Sequence, residues 1–272
     1  MSPDLIKTQN FNGVGAGQTA TLTLPAQGIY RKLVLIYTES GTAVTEANMK
    51  AAITEIRLKV NGKIQQRYSA TQLIALNALY GKGYTAGRLP IFFAQPHRRQ
   101  ALGEDIFRWG MKDVQSFQVE VDIASGRTAP ALTALSYWQQ GDEPMGTILK
   151  IRRFNLPVSA TGENTWNPPI LDAYAAIHAV SSNISSVRVL VDNAERRNAD
   201  VTDLHDLLDD QNLTAQSGWT HIVFDASRRF EDVLPMSKPG EGNKPVQAFR
   251  VDFDMSAATG FDILTETVGA RD

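Results

Sequence analysis

Residues 53–78 read ITEIRLKVNGKIQQRYSATQLIALNA, and residues 184–209 read ISSVRVLVDNAERRNADVTDLHDLLD. The two stretches align without a gap, Ile53 on Ile184, at an offset of 131. Arg57/Arg188, Val60/Val191, Thr71/Thr202, Leu73/Leu204 and Leu76/Leu207 are also identical, and Ile56/Val187, Leu58/Val189 and Asn61/Asp192 are like for like. In each copy apolar residues alternate with polar ones (Ile56, Leu58, Val60; Val187, Val189, Val191), the pattern of a strand with one buried face. Asn61-Gly62 and Asp192-Asn193 follow. These residue types accept the positive φ of a tight hairpin, so a turn and a second short strand are predicted. A helix comes next in both copies. Ser69 with Gln72, and Asp200 with Asp203, occupy the N-cap and N3 positions, where side-chain oxygens satisfy free backbone N–H groups. Val201, Leu204, Leu207 and Leu208 recur at helical spacing, so one face of the second helix packs on a sheet.

A second ungapped match sets residues 114–138 against 246–270 at an offset of 132. FQVEVDI (117–123) and FRVDFDM (249–255) both alternate strictly, and each is followed by a loop and a final strand, near 131–135 and 263–267. A weaker echo links Ile91-Phe92-Phe93 and Arg98-Arg99 to Ile222-Val223-Phe224 and Arg228-Arg229. Matches in the same order at nearly the same offset indicate an internal duplication. In the first copy strands are predicted near 20–24, 32–38, 53–60, 63–68, 89–94, 115–123 and 131–138, with helices near 70–80 and 104–110. The second copy predicts strands near 148–153, 173–180, 185–191, 194–198, 219–224, 247–255 and 261–267, and a helix at 201–210. Seven or eight short strands per copy indicate an all-β chain with short helices: two tandem eight-stranded jelly-roll β-sandwiches. The expected domains are 1–140, with an N-terminal arm, and 147–272. The short polar join, QQGDEPMG (139–146), separates them.

Composition narrows the function. Apolar residues make up 43% and charged residues 21% of the 272, an ordinary globular balance. The net charge of -2 argues against a nucleic-acid sleeve and against sequence-specific nucleic acid as a partner. The absence of cysteine removes disulfides and thiolate chemistry. The N-terminus lacks a basic-then-apolar secretory pattern, and no apolar run approaches the roughly 20 residues of a membrane-spanning helix.

A search for catalytic constellations is negative. His205, flanked by Asp203 and Asp206, suggests a metal or acid–base cluster, but Gln72, Ile74 and Ala75 stand at the matching positions of the first copy, so a solvated polar face is expected. Asp209-Asp210 lacks the spacing and glycine of a calcium loop. Gly13-Val14-Gly15-Ala16-Gly17 lacks the Lys-Ser/Thr ending of a phosphate loop and is read as a flexible arm. Ser125 and Ser159 sit in no nucleophile-elbow pattern. His97 has no carboxylate partner visible in sequence. Arg98-Arg99, Arg152-Arg153, Arg196-Arg197 and Arg228-Arg229 are scattered pairs, for which surface ion pairing is the default. Trp109, Trp138, Trp166 and Trp219 form no stacking series and are assigned to core or interface packing. A cupin-like double-barrel enzyme needs several histidines and a carboxylate on barrel strands, and only His178 and His221 fall on predicted strands. No catalytic, cofactor-binding or metal-binding residue is therefore expected, and no enzymatic activity.

The chain resembles the double jelly-roll major capsid proteins of tailless icosahedral membrane-containing phages, most of all the compact corticovirus type. The features that carry the resemblance are the Gly-rich N-terminal stretch leading to TATLTLP (19–25), the hairpin-plus-helix block 53–79, Arg152-Arg153-Phe154, and the paired strands 115–123 and 247–255. It spans nearly the whole chain and rests on architecture and pattern. It implies a structural coat protein in the virion, made in the host cytoplasm. It further implies pseudo-hexameric homotrimers that tile an icosahedral shell around an internal membrane, contacting neighbouring trimers, vertex or penton proteins and minor membrane proteins. The long loops 79–89, 97–113 and 236–246 are expected to serve inter-subunit contacts or the outer surface. Lys7 with Leu5-Ile6 is expected to touch lipid head groups. The alternative is a two-domain β-sandwich carbohydrate-binding or adhesin-like module, which usually presents aromatic platforms or calcium-organised loops.

Overall fold

The computed structural model describes residues 4–98, 103–170, 172–227, 229–238 and 244–272. It divides into two compact units, Met1–Arg152 with Gly269–Asp272, and Arg153–Val268. The first contains β1 (Asp4–Lys7), β2 (Thr19–Leu24), β3 (Ile29–Glu39), β4 (Thr42–Ala43), α1 (Glu46–Ala52), β5 (Ile53–Val60), β6 (Lys63–Tyr68), α2 (Ala70–Leu79), β7 (Arg88–Phe92), β8 (Trp109–Gly110), β9 (Phe117–Ile123) and β10 (Pro130–Gln139). One of its sheets runs β1-β10-β3, with β4, β7 and β8 paired along the remaining edge of β3. The other runs β2-β9-β5-β6.

The chain continues through β11 (Thr147–Leu156), β12 (Gly162–Trp166), β13 (Ala173–Ala179), β14 (Ile184–Val191), β15 (Ala194–Asp200), α3 (Val201–Asp210), β16 (Thr220–Val223), β17 (Ser237–Lys238), β18 (Lys244–Pro245), β19 (Phe249–Met255) and β20 (Phe261–Ala270). In the second unit β11-β20-β13-β16 and β12-β19-β14-β15 are the two sheets, and β17 and β18 form a separate ribbon. Between the two sheets lie Ile177, Ile222 and Ile263 of one and Val187, Val189, Val251 and Phe253 of the other. The first unit thus has antiparallel sheets of six and four strands and the second two of four. Sheets closing on a shared apolar layer are the jelly-roll solution to the edge-strand problem.

The duplication is legible bond by bond. Asn61 (φ 50) and Gly62 (φ 79) turn the first hairpin; Asp192 (φ 49) and Asn193 (φ 63) turn the second. Asn61 Oδ1 accepts from the backbone N–H groups of Gln115 and Ser116 at 2.8 and 3.1 Å. Asp192 Oδ1 accepts from Gln247 and Ala248 at 2.7 and 2.9 Å. The Tyr30 hydroxyl donates to the Pro25 carbonyl at 2.9 Å and that of Tyr174 to Pro169 at 2.7 Å. Tyr30 meets Phe117 edge to face and Tyr174 meets Phe249 the same way. Even the register irregularities recur, at Ile53/Glu55 and Ile184/Ser186. Removing the acceptor at the first turn leaves two backbone donors without it, so Asn61→Ala is expected to cost about 1–2 kcal/mol. Asn61→Asp, which keeps Oδ1, should be close to neutral; urea denaturation of both variants checks this.

Several expectations need correction. Residues 8–18 are not a loose arm. Thr8 N–H donates to the Ala134 carbonyl, Asn12 and Thr21 exchange backbone hydrogen bonds at 2.8 and 2.9 Å, and Gly17 N–H donates to Ile123. Phe11 is buried. Gly13 and Gly17, both at φ 72, supply left-handed turns rather than freedom. Ahead of them Asp4–Lys7 pairs with β10 as a strand. The helix expected at 104–110 is absent: residues 103–107 form turns and Trp109–Gly110 is a strand. Arg108 is drawn instead to Glu143, whose carboxylate it meets at 2.8 Å. Asp200 stands at the N-cap of α3 but makes no side-chain capping bond, whereas Ser69 and Gln72 complete a full capping box on α2. The short elements α1 and β12 were not expected.

Candidate functional site

The residues with potential for chemistry are dispersed over the two units. His97 is half-buried and stacks on Tyr80, with ring centroids 4.0 Å apart. Asp203 and Asp206 are exposed on α3, and among the described residues no group of three or more His, Asp or Glu could hold a metal ion. Arg152 binds the Asp272 carboxylate and Arg153 binds Asp262, at 2.9 and 3.0 Å. Arg197 donates to the Val223 carbonyl at 3.1 Å, while Arg196 is exposed. Buried Arg98 lies over the Phe107 ring. Arg99 and Arg228 lie outside the described residues, as do parts of loops 97–113 and 236–246. The tryptophans are dispersed. Trp109 packs on Phe93 and Phe117, Trp138 donates to the Gln27 carbonyl at 2.8 Å, Trp166 packs on Phe154, and Trp219 stacks on His221. Trp138 takes its place because residue 28 is glycine: a Cβ there would lie 2.2 Å from its Nε1.

Charge is concentrated on the polar faces of the β5/β9 and β14/β19 pairs. Arg57 reaches Glu120 at 2.9 Å and Asp122 at 2.7 Å, and also pairs with Glu55. Its copy Arg188 reaches Asp252 at 3.0 Å and Glu163 at 2.6 Å. Such cross-strand pairs fix register and contribute structure rather than chemistry. Near the chain's end Lys150, almost fully buried, donates to the Ala270 carbonyl at 2.8 Å and to Asp272 at 3.0 Å. Burial raises the Asp272 pKa, but hydrogen bonds from Arg152 and Lys150 outweigh it and hold the carboxyl below its ordinary value.

Sequence reasoning passed over one cluster. His178 of β13 and His221 of β16 are fully buried, with their Nδ1 atoms 2.9 Å apart, and Glu266 of β20 lies 3.6 Å from His178 Nε2. The sequence places both histidines on strands but does not point to the carboxylate. The available signal was a histidine inside each of two otherwise apolar strand segments, AAIHA and THIV.

What the surface offers is contact area. Leu5 (57% exposed) and Ile6 (42%) lie on β1 at the edge of its sheet, and Ile64, Ile106 and Leu207 are also exposed. Beside β1 a groove of about 180 Å³ is lined by Ile6, Leu24, Pro25, Tyr30 and Trp138.

Residues 5–139 match the family model of the viral coat protein P2 N-terminal domain, and residues 148–271 that of its C-terminal domain. The chain belongs to the viral coat protein P2 family. Among solved structures, the major capsid protein P2 from bacteriophage PM2 is 18% identical and superposes with a TM-score of 0.87, covering 99% of this chain and 98% of that one. The STIV MCP is 12% identical, with a TM-score of 0.68 and coverages of 97% and 95%. The PBCV-1 virus capsid protein is 8% identical, with a TM-score of 0.66 and coverages of 97% and 92%. No curated protein sequence matches. At these identities the structural likeness establishes the fold, a double jelly roll, and the family match establishes a coat protein. As a P2 coat protein the chain is a major capsid protein of the virion.

Proposed function

We propose that this coat protein forms pseudo-hexameric homotrimers that tile an icosahedral shell around an internal membrane. The observation that carries this reading is the recurrence of the same hairpin turns, tyrosine contacts and register irregularities in the two units. Three chains with two like sandwiches each offer six similar faces, and six-sided tiles cover a surface with few gaps. Domains 1–140 and 147–272 are then the two lobes, and the partners are other copies, vertex or penton proteins and minor membrane proteins. Synthesis in the host cytoplasm follows from the same reading. The buried His178 and His221, the ion-paired arginines and the dispersal of the four tryptophans, of which Trp109 and Trp219 are buried, support a scaffold without enzymatic activity and speak against a glycan-binding platform. In this reading Leu5, Ile6 and Lys7 meet lipid head groups at the membrane-facing end.

Size-exclusion chromatography with light scattering on the full chain tests the tile. The expected mass is about three times the 29.9 kDa of the chain. A monomer that binds glycans would instead support the adhesin-like module. The lipid contact fails separately if a variant lacking residues 1–12 still assembles normally on its membrane.

A further inference from the structure

β16 is an edge strand that pairs with β13 through only four residues. Within that short ladder His178 stands directly opposite His221. The matching strands of the first unit, β3 and β7, set Val34 opposite Pro90, so the histidine pair is an addition to the shared scaffold.

The hydrogen bonds define where the protons sit. Two ring nitrogens 2.9 Å apart require one donor and one acceptor. The backbone N–H of Gln216 donates to His221 Nε2 at 3.4 Å. A backbone N–H can only donate, so His221 Nε2 carries no proton and its proton sits on Nδ1, donated to His178 Nδ1. The proton of His178 is then on Nε2, facing the buried carboxyl of Glu266 at 3.6 Å. Each ring nitrogen of the neutral pair is already assigned. A further proton must land on His178 Nδ1 or His221 Nε2, and either position sets two donors against each other. Glu266 taking the proton instead removes the charge that faces His178.

The surroundings oppose a second charge. Burial first, then His178 and His205, hold the His221 imidazole well below its ordinary pKa. Trp219 covers its ring at 5.7 Å. His205 of α3 has a buried Nε2 with no hydrogen bond, while Asp203, Asp206, Asp209 and Asp210 of that helix are exposed. From β15, Arg197 bonds the carbonyl at the far end of β16. Among these described neighbours Glu266 is the buried counter-charge.

We propose that the chain Gln216–His221–His178–Glu266 is an acid-sensitive clasp: proton uptake parts β16 and residues 211–219 from β13. The sign follows from linkage. A histidine whose pKa is depressed on folding favours the folded form above about pH 6.5 and loses that support as the pH falls.

Hydrogen exchange on the full chain, read as protection factors, tests this. Between about pH 7.5 and pH 5, protection over residues 216–223 is expected to fall about tenfold, while residues 117–123 of the first unit stay unchanged. In the His178→Asn, His221→Asn variant, which places non-titrating amides near the two Nδ1 positions, the fall should vanish. Unchanged wild-type protection, or an undiminished fall in the variant, would overturn the clasp. If the variant does not fold, the wild-type contrast between the two segments decides alone.

Discussion

Phe117→Ala is expected to remove about 3–5 kcal/mol from the stability of the first unit. Phe117 is fully buried at the start of β9, and its ring touches those of Tyr30, Phe93 and Trp109 at centroid distances of 5.3, 6.0 and 5.4 Å. Alanine leaves a void among three large rings that are themselves buried, and rigid rings cannot collapse into it. The duplication supplies an internal comparison. Phe249 occupies the same place in the second unit, edge to face with Tyr174 at 4.9 Å, and the shared core around it is largely aliphatic. Aliphatic side chains relax into a cavity more readily, so Phe249→Ala should cost less. Denaturant unfolding followed by a probe in each unit checks both values; equal losses would contradict the packing argument.

Arg57→Met is expected to destabilise the first unit by about 3 kcal/mol near neutral pH. The guanidinium is largely buried and holds Glu55, Glu120 and Asp122, which would otherwise face one another across β5 and β9. The hydrogen bond from Arg57 is the largest influence on Asp122 and keeps its carboxyl below the ordinary range. For Glu120 burial pushes the pKa up, but Lys59 and Arg57 together bring it down; for Glu55 Arg67 and Arg57 do the same against burial. Carboxyls depressed on folding stabilise above their unfolded pKa and lose that contribution as pH falls through the folded value. Wild type therefore loses this support below about pH 4, whereas the variant has already lost it. The gap between them should narrow below that pH in a series of urea titrations; a constant gap would place the cost in lost packing.

The legible parts of the fold were those in which one strand face is buried and the other wet. The segments 53–60, 117–123, 184–191 and 249–255 alternate because each lies on a sheet packed on one side only, and the turn residues at 61–62 and 192–193 needed positive φ. Strand β1 was missed because all its residues are exposed and its pairing with β10 spans most of the first unit. Strand β12, GENTW, carries too few apolar residues for its alternation to register. The helices illustrate divergence under one pattern. Of the four α3 residues whose spacing predicts one packed face, Leu204 and Leu208 are buried, Val201 is half-buried and Leu207 is exposed, whereas α2 is buried nearly all round beneath α1, a helix not expected from the sequence. The histidine pair was illegible for a different reason. Its members are 43 residues apart, and only the antiparallel register of β13 and β16 sets them opposite each other.

The return of residues 269–272 to the first unit changes how the molecule is built in time. Ribosomes deliver the first unit's strands before any of the second's, yet Lys150 must wait for Ala270 and Asp272 before its buried ammonium has these acceptors. Gln65, deep in β6, likewise bonds Asp272 N–H. The copy that is translated first is thus sealed last, because the residues that close it follow the whole second copy in sequence. A chain stalled before residue 269 presents a first lobe that still lacks its closing segment.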